Sequence, residues 1–197
     1  PLTIEHSNLR KLQKQFGLPD YQALRRWSVT HRESYWQAAI EALSIRFRRN
    51  PSKILDLAEG VEQPRWLCGA RLNIVESCFQ AEEDAPAILF DAGDDRILTW
   101  SYGQLGKIVN RVANGLKELG FGPDDPIAVD LPMIPESVAI YLGIIHMGGV
   151  VVSIADSFAA PQIASRLKIA GAKAIFTMGH ISKAGKRLPL YQKVIAA

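Results

Sequence analysis

Leu98–Met178 reads LTWSYGQLGKIVNRVANGLKELGFGPDDPIAVDLPMIPESVAIYLGIIHMGGVVVSIADSFAAPQIASRLKIAGAKAIFTM. Its short apolar runs, Ile127–Leu131, Val150–Ile154 and Ala172–Met178, read as buried strands. Between them lie segments of helical periodicity at Ser101–Leu119, Pro135–Met147 and Pro161–Ala170. Strand and helix in alternation imply right-handed crossovers and a mostly parallel, doubly wound sheet covered on both faces, an α/β fold. Such sheets bind small ligands, often nucleotides, at loops beyond the strand C-termini. The loops here carry no recognisable catalytic group.

Local signals support these elements. Ser101 followed by Gln104 forms a capping box, after which Leu105, Ile108, Val109, Val112, Leu116 and Leu119 make one stripe. Gly120 and Gly122 stop that helix. Pro135 opens a helix apolar nearly all round, which must be covered on several sides by a body larger than these elements alone. Asp156 or Ser157 is placed to cap the next helix, and Gly171 to end it. Upstream, Ala87–Asp91 and Arg96–Trp100 read as a hairpin across Ala92–Asp95, with Gly93 in the turn.

Residues 1–50 are helical in pattern. Ser7 is placed to cap a helix with Leu9, Leu12 and Phe16, which Gly17 ends. A second segment presents Tyr35, Trp36, Ala39, Ile40 and Leu43 as one apolar face, and Asn50–Pro51 breaks it. Residues 51–80 read as irregular, punctuated by Gly60, Pro64 and Gly69. There is no internal repeat and no low-complexity tract.

A net charge of +3 does not argue for nucleic acid, and the basic clusters at Arg25–Arg26, Arg46–Arg49 and Lys183–Arg187 read as solvated faces. Cys68 and Cys78 lack metal-site spacing and read as reduced, buried thiols. Ser137–Ala155 contains no charge, yet Gly148–Gly149 splits it into a buried helix and a buried strand, so no membrane span is expected. His146 reads as a hydrogen-bonded core residue, Asp124–Asp125 as a structural turn, and Trp27, Trp36, Trp66 and Trp100 as packing residues.

Three ordered segments resemble one family. LTWSYGQLGKIVNRVA (98–113) resembles the early Thr-Tyr-x-Glu-Leu and Asn-Arg-x-Ala segments of adenylate-forming acyl-activating enzymes. LPMIPESVAIYLGIIHMGGVVVSIADSFAAPQIASRL (131–167) resembles the Pro-Met-x-Pro-Glu helix, Gly turn and Ser-Phe loop of their acetyl-CoA-synthetase-like branch. Tyr35–Cys78, with Tyr35–Trp36 early and WLCGARLN late, resembles the amino-terminal cap of acetyl-CoA synthetases. SIADSFAAPQIASRLKIAGAKAIFT and RLPLYQKV look closest to plant-type peroxisomal acyl-activating enzymes.

The resemblance implies an ATP-dependent acyl-CoA synthetase, using a carboxylic acid, ATP, coenzyme A and Mg²⁺, peroxisomal or alternatively cytoplasmic. It implies a cap over residues 1–80 and the first, incomplete part of an AMP-binding domain over 81–197. The family's Ser/Thr/Gly-rich phosphate loop ending in Lys does not occur within these residues. The chain therefore reads as an inactive amino-terminal fragment, with no catalytic and no metal-binding residue assigned.

One site carries over. Where the branch has Phe-Gly-Gly near the coenzyme A nucleotide, this chain has Ala155, Asp156 and Ser157. Where it has an Arg-x-x-Arg pair, the chain has Lys183 and Lys186. Every position departs from the pattern: the lysines keep charge but lose bidentate geometry, and Asp156 puts a carboxylate near a diphosphate. The bland alternative is a helix cap at Asp156 and a solvated loop at Lys183–Arg187. The rival function is a self-contained, non-catalytic nucleotide-binding α/β module. A basic helical nucleic-acid binder over Arg25–Arg49 lacks an aromatic-interleaved strip or helix-turn-helix.

Overall fold

Ser7 begins the architecture as expected. Its side chain accepts from Arg10 N and opens α1 (Asn8–Gln15). In the computed structural model, which describes residues 5–93, 96–183 and 186–197, the chain divides into two units at the Asn73–Ile74 junction. The side chains of Lys183 and Lys186 lie outside the described residues.

In the first unit, Asp20 caps α2 (Tyr21–Thr30) by accepting from Ala23 N, and α3 (Arg32–Ala42) follows. Leu12, Leu24 and Ala38 form the core, and Phe16 packs on Trp27 with ring centroids 4.2 Å apart. The face expected on α3 is corrected. Ala38 is its buried residue, whereas Trp36 is 47% and Leu43 55% exposed. The inward direction is set by α1 and α2, which take up Tyr35 and Ala38. Trp36 instead meets Trp66 edge-on at 5.8 Å.

Residues 51–80 are irregular only in part. β1 (Lys53–Asp56) pairs antiparallel with β2 (Arg65–Cys68), and α4 (Ile74–Cys78) follows at the start of the second unit. Each strand is too short to show alternation, and Ile54 is the only buried residue of the pair, so no periodic signal arises. The thiols are also corrected. Cys68 is half-buried and Cys78 exposed, because the short α4 turns Val75 inward instead.

The second unit continues with β3 (Pro86–Asp91) and β4 (Ile97–Ser101), an antiparallel hairpin. Asp94 and Asp95 of its expected turn lie outside the described residues. The capping box is present: Gln104 N donates to Ser101 Oγ at 3.2 Å and Ser101 N to Gln104 Oε1 at 2.9 Å, opening α5 (Tyr102–Glu118). Next come β5 (Pro126–Asp130), α6 (Pro135–His146), β6 (Val150–Ile154), α7 (Ala160–Ala170) and β7 (Ala174–Phe176). The unit closes with the hairpin β8 (Ile181–Lys183) and β9 (Lys186–Leu188), then α8 (Leu190–Ile195).

β5 lies between β6 and β7, parallel to both. Ile127 and Val129 pack with Ala113, Leu116, Ile144 and Met147 on the α5–α6 face. Ala128 packs with Ile154 and Ile163 on the opposite face, toward α7. This is the doubly wound α/β fold expected. The apolar α6 is covered inside this unit on two sides, by α5 with the sheet and by the cluster of Val75, Leu105 and Val109, while Tyr141 on its remaining side is 43% exposed. Gly143 makes the approach to α5 possible, since a Cβ there would lie 2.6 Å from Val112 Cγ1.

One cap differs. α7 starts at Ala159 rather than at Asp156 or Ser157, with Gln162 Oε1 accepting from Ala159 N at 3.1 Å. Ala160–Pro161 supply the first turn, where proline's missing N–H costs nothing, so Asp156 is left in the loop. Gly171, with φ 59°, ends the helix as expected.

Candidate functional site

The β5–α6–β6 crossover places β6 on one side of β5, and β6–α7–β7 crosses to the other side. The loops leaving β5 and β6 therefore diverge to opposite faces of the sheet. A doubly wound sheet opens its ligand crevice at such a switch point, beyond the carboxyl ends of the strands. A cavity of about 750 Å³ lies there. Leu131, Pro132 and Met133 line it from the β5 loop, Ser137 and Tyr141 from α6, Ala155, Asp156 and Phe158 from the β6 loop, and Arg166 from α7.

The loop after β6 is held from two directions. The Arg166 guanidinium lies 4.0 Å over the Phe158 ring, a cation–π contact. From α8, Lys193 Nζ donates to Asp156 O at 2.6 Å and to Phe158 O at 3.2 Å. Tyr191 N donates to Met178 O at 3.0 Å, tying α8 to the strand side. Beneath the loop, Asp130 is fully buried on the α7 face, and among the described residues neither carboxylate oxygen accepts a hydrogen bond. Burial pushes its pKa above the ordinary carboxylate value. The Lys193 charge opposes that rise and Asp156 adds to it.

Of the residues carried over from sequence, Ala155 and Asp156 line the crevice, and Ser157 lies in the same loop outside the lining. Lys183 and Lys186 face each other in the β8–β9 register, and Arg187 beside them donates to His180 Nδ1 at 3.1 Å. The Asp124–Asp125 turn is structural as expected. Asp125 accepts from Gly122 N at 2.8 Å and pairs with Lys173, and the Lys173 hydrogen bond, followed by the Gly122 N–H, lowers its pKa. Sequence reasoning missed Asp130 and Lys193. An acid at the end of the apolar run PIAVD was the available signal for Asp130. Nothing near Lys193 indicates that its ammonium reaches a loop more than thirty residues away.

Among the described residues no three of His, Cys, Asp and Glu gather to hold a cation, and no helix is long and apolar enough to cross a membrane.

Fold and crevice together define a doubly wound α/β protein with a cavity at a switch point of its sheet. Residues 75–196 match the family of AMP-binding enzymes, and residues 21–78 match the acetyl-coenzyme A synthetase N-terminus. The chain belongs to the AMP-binding enzyme family. Probable acyl-activating enzyme 18, peroxisomal, of Arabidopsis thaliana is 39% identical over 97% of this chain and 29% of its own length. Hexanoyl-CoA synthase of Cannabis sativa is 36% identical over 100% of this chain and 30% of its own. The solved acetoacetyl-CoA synthetase from Streptomyces lividans superposes with a TM-score of 0.87, at 27% identity, over 98% of this chain and 31% of that one. The chain thus spans about 30% of the length of the curated relatives it matches.

Proposed function

We propose that this chain is the amino-terminal part of an ATP-dependent acyl-CoA synthetase, and that the switch-point crevice receives the nucleotide end of coenzyme A. The observation that carries the reading is continuity. An acetyl-coenzyme A synthetase N-terminus and an AMP-binding segment follow one another along the chain, and a CoA synthetase superposes on nearly all of it. Residues 1–80 then serve as the cap and 81–197 as the first part of the adenylation domain. In the reaction, a substrate carboxylate attacks the α-phosphorus of ATP, forming an acyl-adenylate and expelling pyrophosphate. The coenzyme A thiolate then attacks the acyl carbon, forming the thioester and releasing AMP.

The residues present fit the second substrate better than the first. The basic β8–β9 hairpin, with Lys183, Lys186 and Arg187, supplies charge for phosphates. Asp156 in the crevice is an acceptor, so it suits a nucleotide hydroxyl or exocyclic amine. Among the described residues no three of His, Cys, Asp and Glu gather as a Mg²⁺ site, and the sequence holds no Gly-rich triphosphate loop.

Two of the plant relatives carry peroxisomal in their names, which supports a peroxisomal setting over the cytoplasmic one. The test of function is acid-dependent ATP–pyrophosphate exchange, followed by thioester formation on adding coenzyme A. It uses the protein translated from the complete reading frame and a panel of short, medium and aromatic acids. Exchange with one acid class and thioester with coenzyme A is the expected result. Absence of exchange across the panel overturns the reading.

A further inference from the structure

We infer that Lys193 is the positioning residue of the coenzyme A step: its ammonium, anchored on two loop carbonyls, holds the Asp156–Phe158 loop in the shape that the second substrate meets. The inference rests on the acyl-CoA synthetase reading above. Three observations carry it.

Lys193 Nζ donates to two carbonyls of the loop, at 2.6 and 3.2 Å, so one cation fixes two peptide planes two residues apart. Those peptides flank the cavity-lining Asp156 and Phe158. The Asp130 carboxylate is fully buried and, among the described residues, accepts no hydrogen bond, and the Lys193 charge acts on it to favour its ionised form. A buried carboxylate left that way is costly unless a cation stands close to it.

The arrangement also explains why the loop carries no helix cap of its own. Lys193 takes the carbonyls, Arg166 covers the Phe158 ring, and Gln162 accepts from the N–H of Ala159, the residue that caps α7. The loop shape is therefore set from α7 and α8, elements that do not themselves belong to the loop. Lys193 touches neither the reacting carboxylate nor the thiol in this scheme. It acts only through the loop, so its loss falls on the coenzyme A step and spares acid activation.

The test uses the full-length enzyme with Lys193→Met, Lys193→Gln and Lys193→Arg. Acid-dependent ATP–pyrophosphate exchange and the coenzyme A KM of thioester formation are measured on each. Lys193→Met is expected to raise the coenzyme A KM roughly tenfold or more, the factor that about 1.4 kcal/mol of lost positioning represents. Pyrophosphate exchange should stay at the parent rate. Lys193→Gln, which keeps an uncharged N–H donor on a side chain one atom shorter, should fall between, and Lys193→Arg should recover most of the parent KM. An unchanged coenzyme A KM in Lys193→Met and Lys193→Gln overturns the inference. So does a parallel fall of both half-reactions, which marks a general structural role, and so does Lys193→Arg behaving like Lys193→Met. Exchange by the parent enzyme with no KM effect sinks this inference alone. A parent enzyme without exchange sinks the family reading with it.

Discussion

Gly143 shows how narrow the tolerance is at a single residue. A methyl group there would meet Val112 Cγ1 at 2.6 Å and Val109 O at 3.1 Å, and the second neighbour is backbone that cannot turn aside. Alanine gains up to about 1 kcal/mol of helix propensity over glycine, while forced overpacking costs about 1–3 kcal/mol. Gly143→Ala should therefore lose stability on balance, and Val112→Ala in the same chain should relieve part of that loss. Denaturant melts of the two single variants and the double variant measure the coupling. Asp130 makes a second prediction, in pH. Its pKa is raised in the folded chain, so the folded state binds more protons than the unfolded state, and stability falls as pH climbs through the carboxylate range. Asp130→Asn removes that dependence. Its stability relative to the parent should improve from acid to neutral pH, and melts across that range would show it. An advantage that grows toward low pH would contradict the assignment.

At the scale of elements, the start of α5 is the clearest case of sequence chemistry becoming geometry. Ser101 and Gln104 exchange their two hydrogen bonds as the spacing requires. Ser101→Ala should cost about 0.5–2 kcal/mol, the usual range for losing an N-cap hydroxyl, read as a lower melting midpoint with an unchanged denaturant slope. The β8–β9 hairpin supports a functional prediction. Lys183 and Lys186 are opposite each other in register, so both belong to one end of the hairpin. In the full-length enzyme, Lys183→Ala with Lys186→Ala should raise the coenzyme A KM about tenfold, since a charge-assisted phosphate contact is worth roughly 1.5–3 kcal/mol. Pyrophosphate exchange should hold steady. A flat coenzyme A KM would return these lysines to a solvated turn.

For the whole molecule, the 197 residues hold a crevice and a basic hairpin, and no Gly-rich loop ending in Lys occurs in their sequence. The isolated chain should accordingly release no pyrophosphate from ATP with any acid in the panel. Clear turnover by the purified chain would mean the chemistry is misplaced. β6 and β7 both lie at edges of the three-stranded sheet, and Val150 at one of them is 48% exposed. Unpaired edges recruit other strands, so light scattering on the isolated chain should detect concentration-dependent association. A monomer at all concentrations would count against that.

Much of the fold and half of the candidate site were legible along the chain. The alternation of β5 through β7 with its helices came from local periodicity, because a strand or helix buried on a known face must repeat its apolar residues at that face's period. The capping box and the Gly171 stop came from hydrogen-bonding chemistry confined to a few neighbours. The short β1–β2 pair escaped because four residues cannot display a period. The inward face of α3 escaped because its direction depends on α1 and α2. Ala155 and Asp156 were found through resemblance, and only the strand order puts them in a crevice. Asp130 was readable as an acid in an apolar run, but its meaning depends on Lys193, which reaches the loop from α8 through packing that no local pattern encodes. Sequence determined the longer, periodic elements and their caps. Tertiary structure decided which distant charges meet, because a contact across more than thirty residues is set by the packing of whole elements and not by any repeat within them.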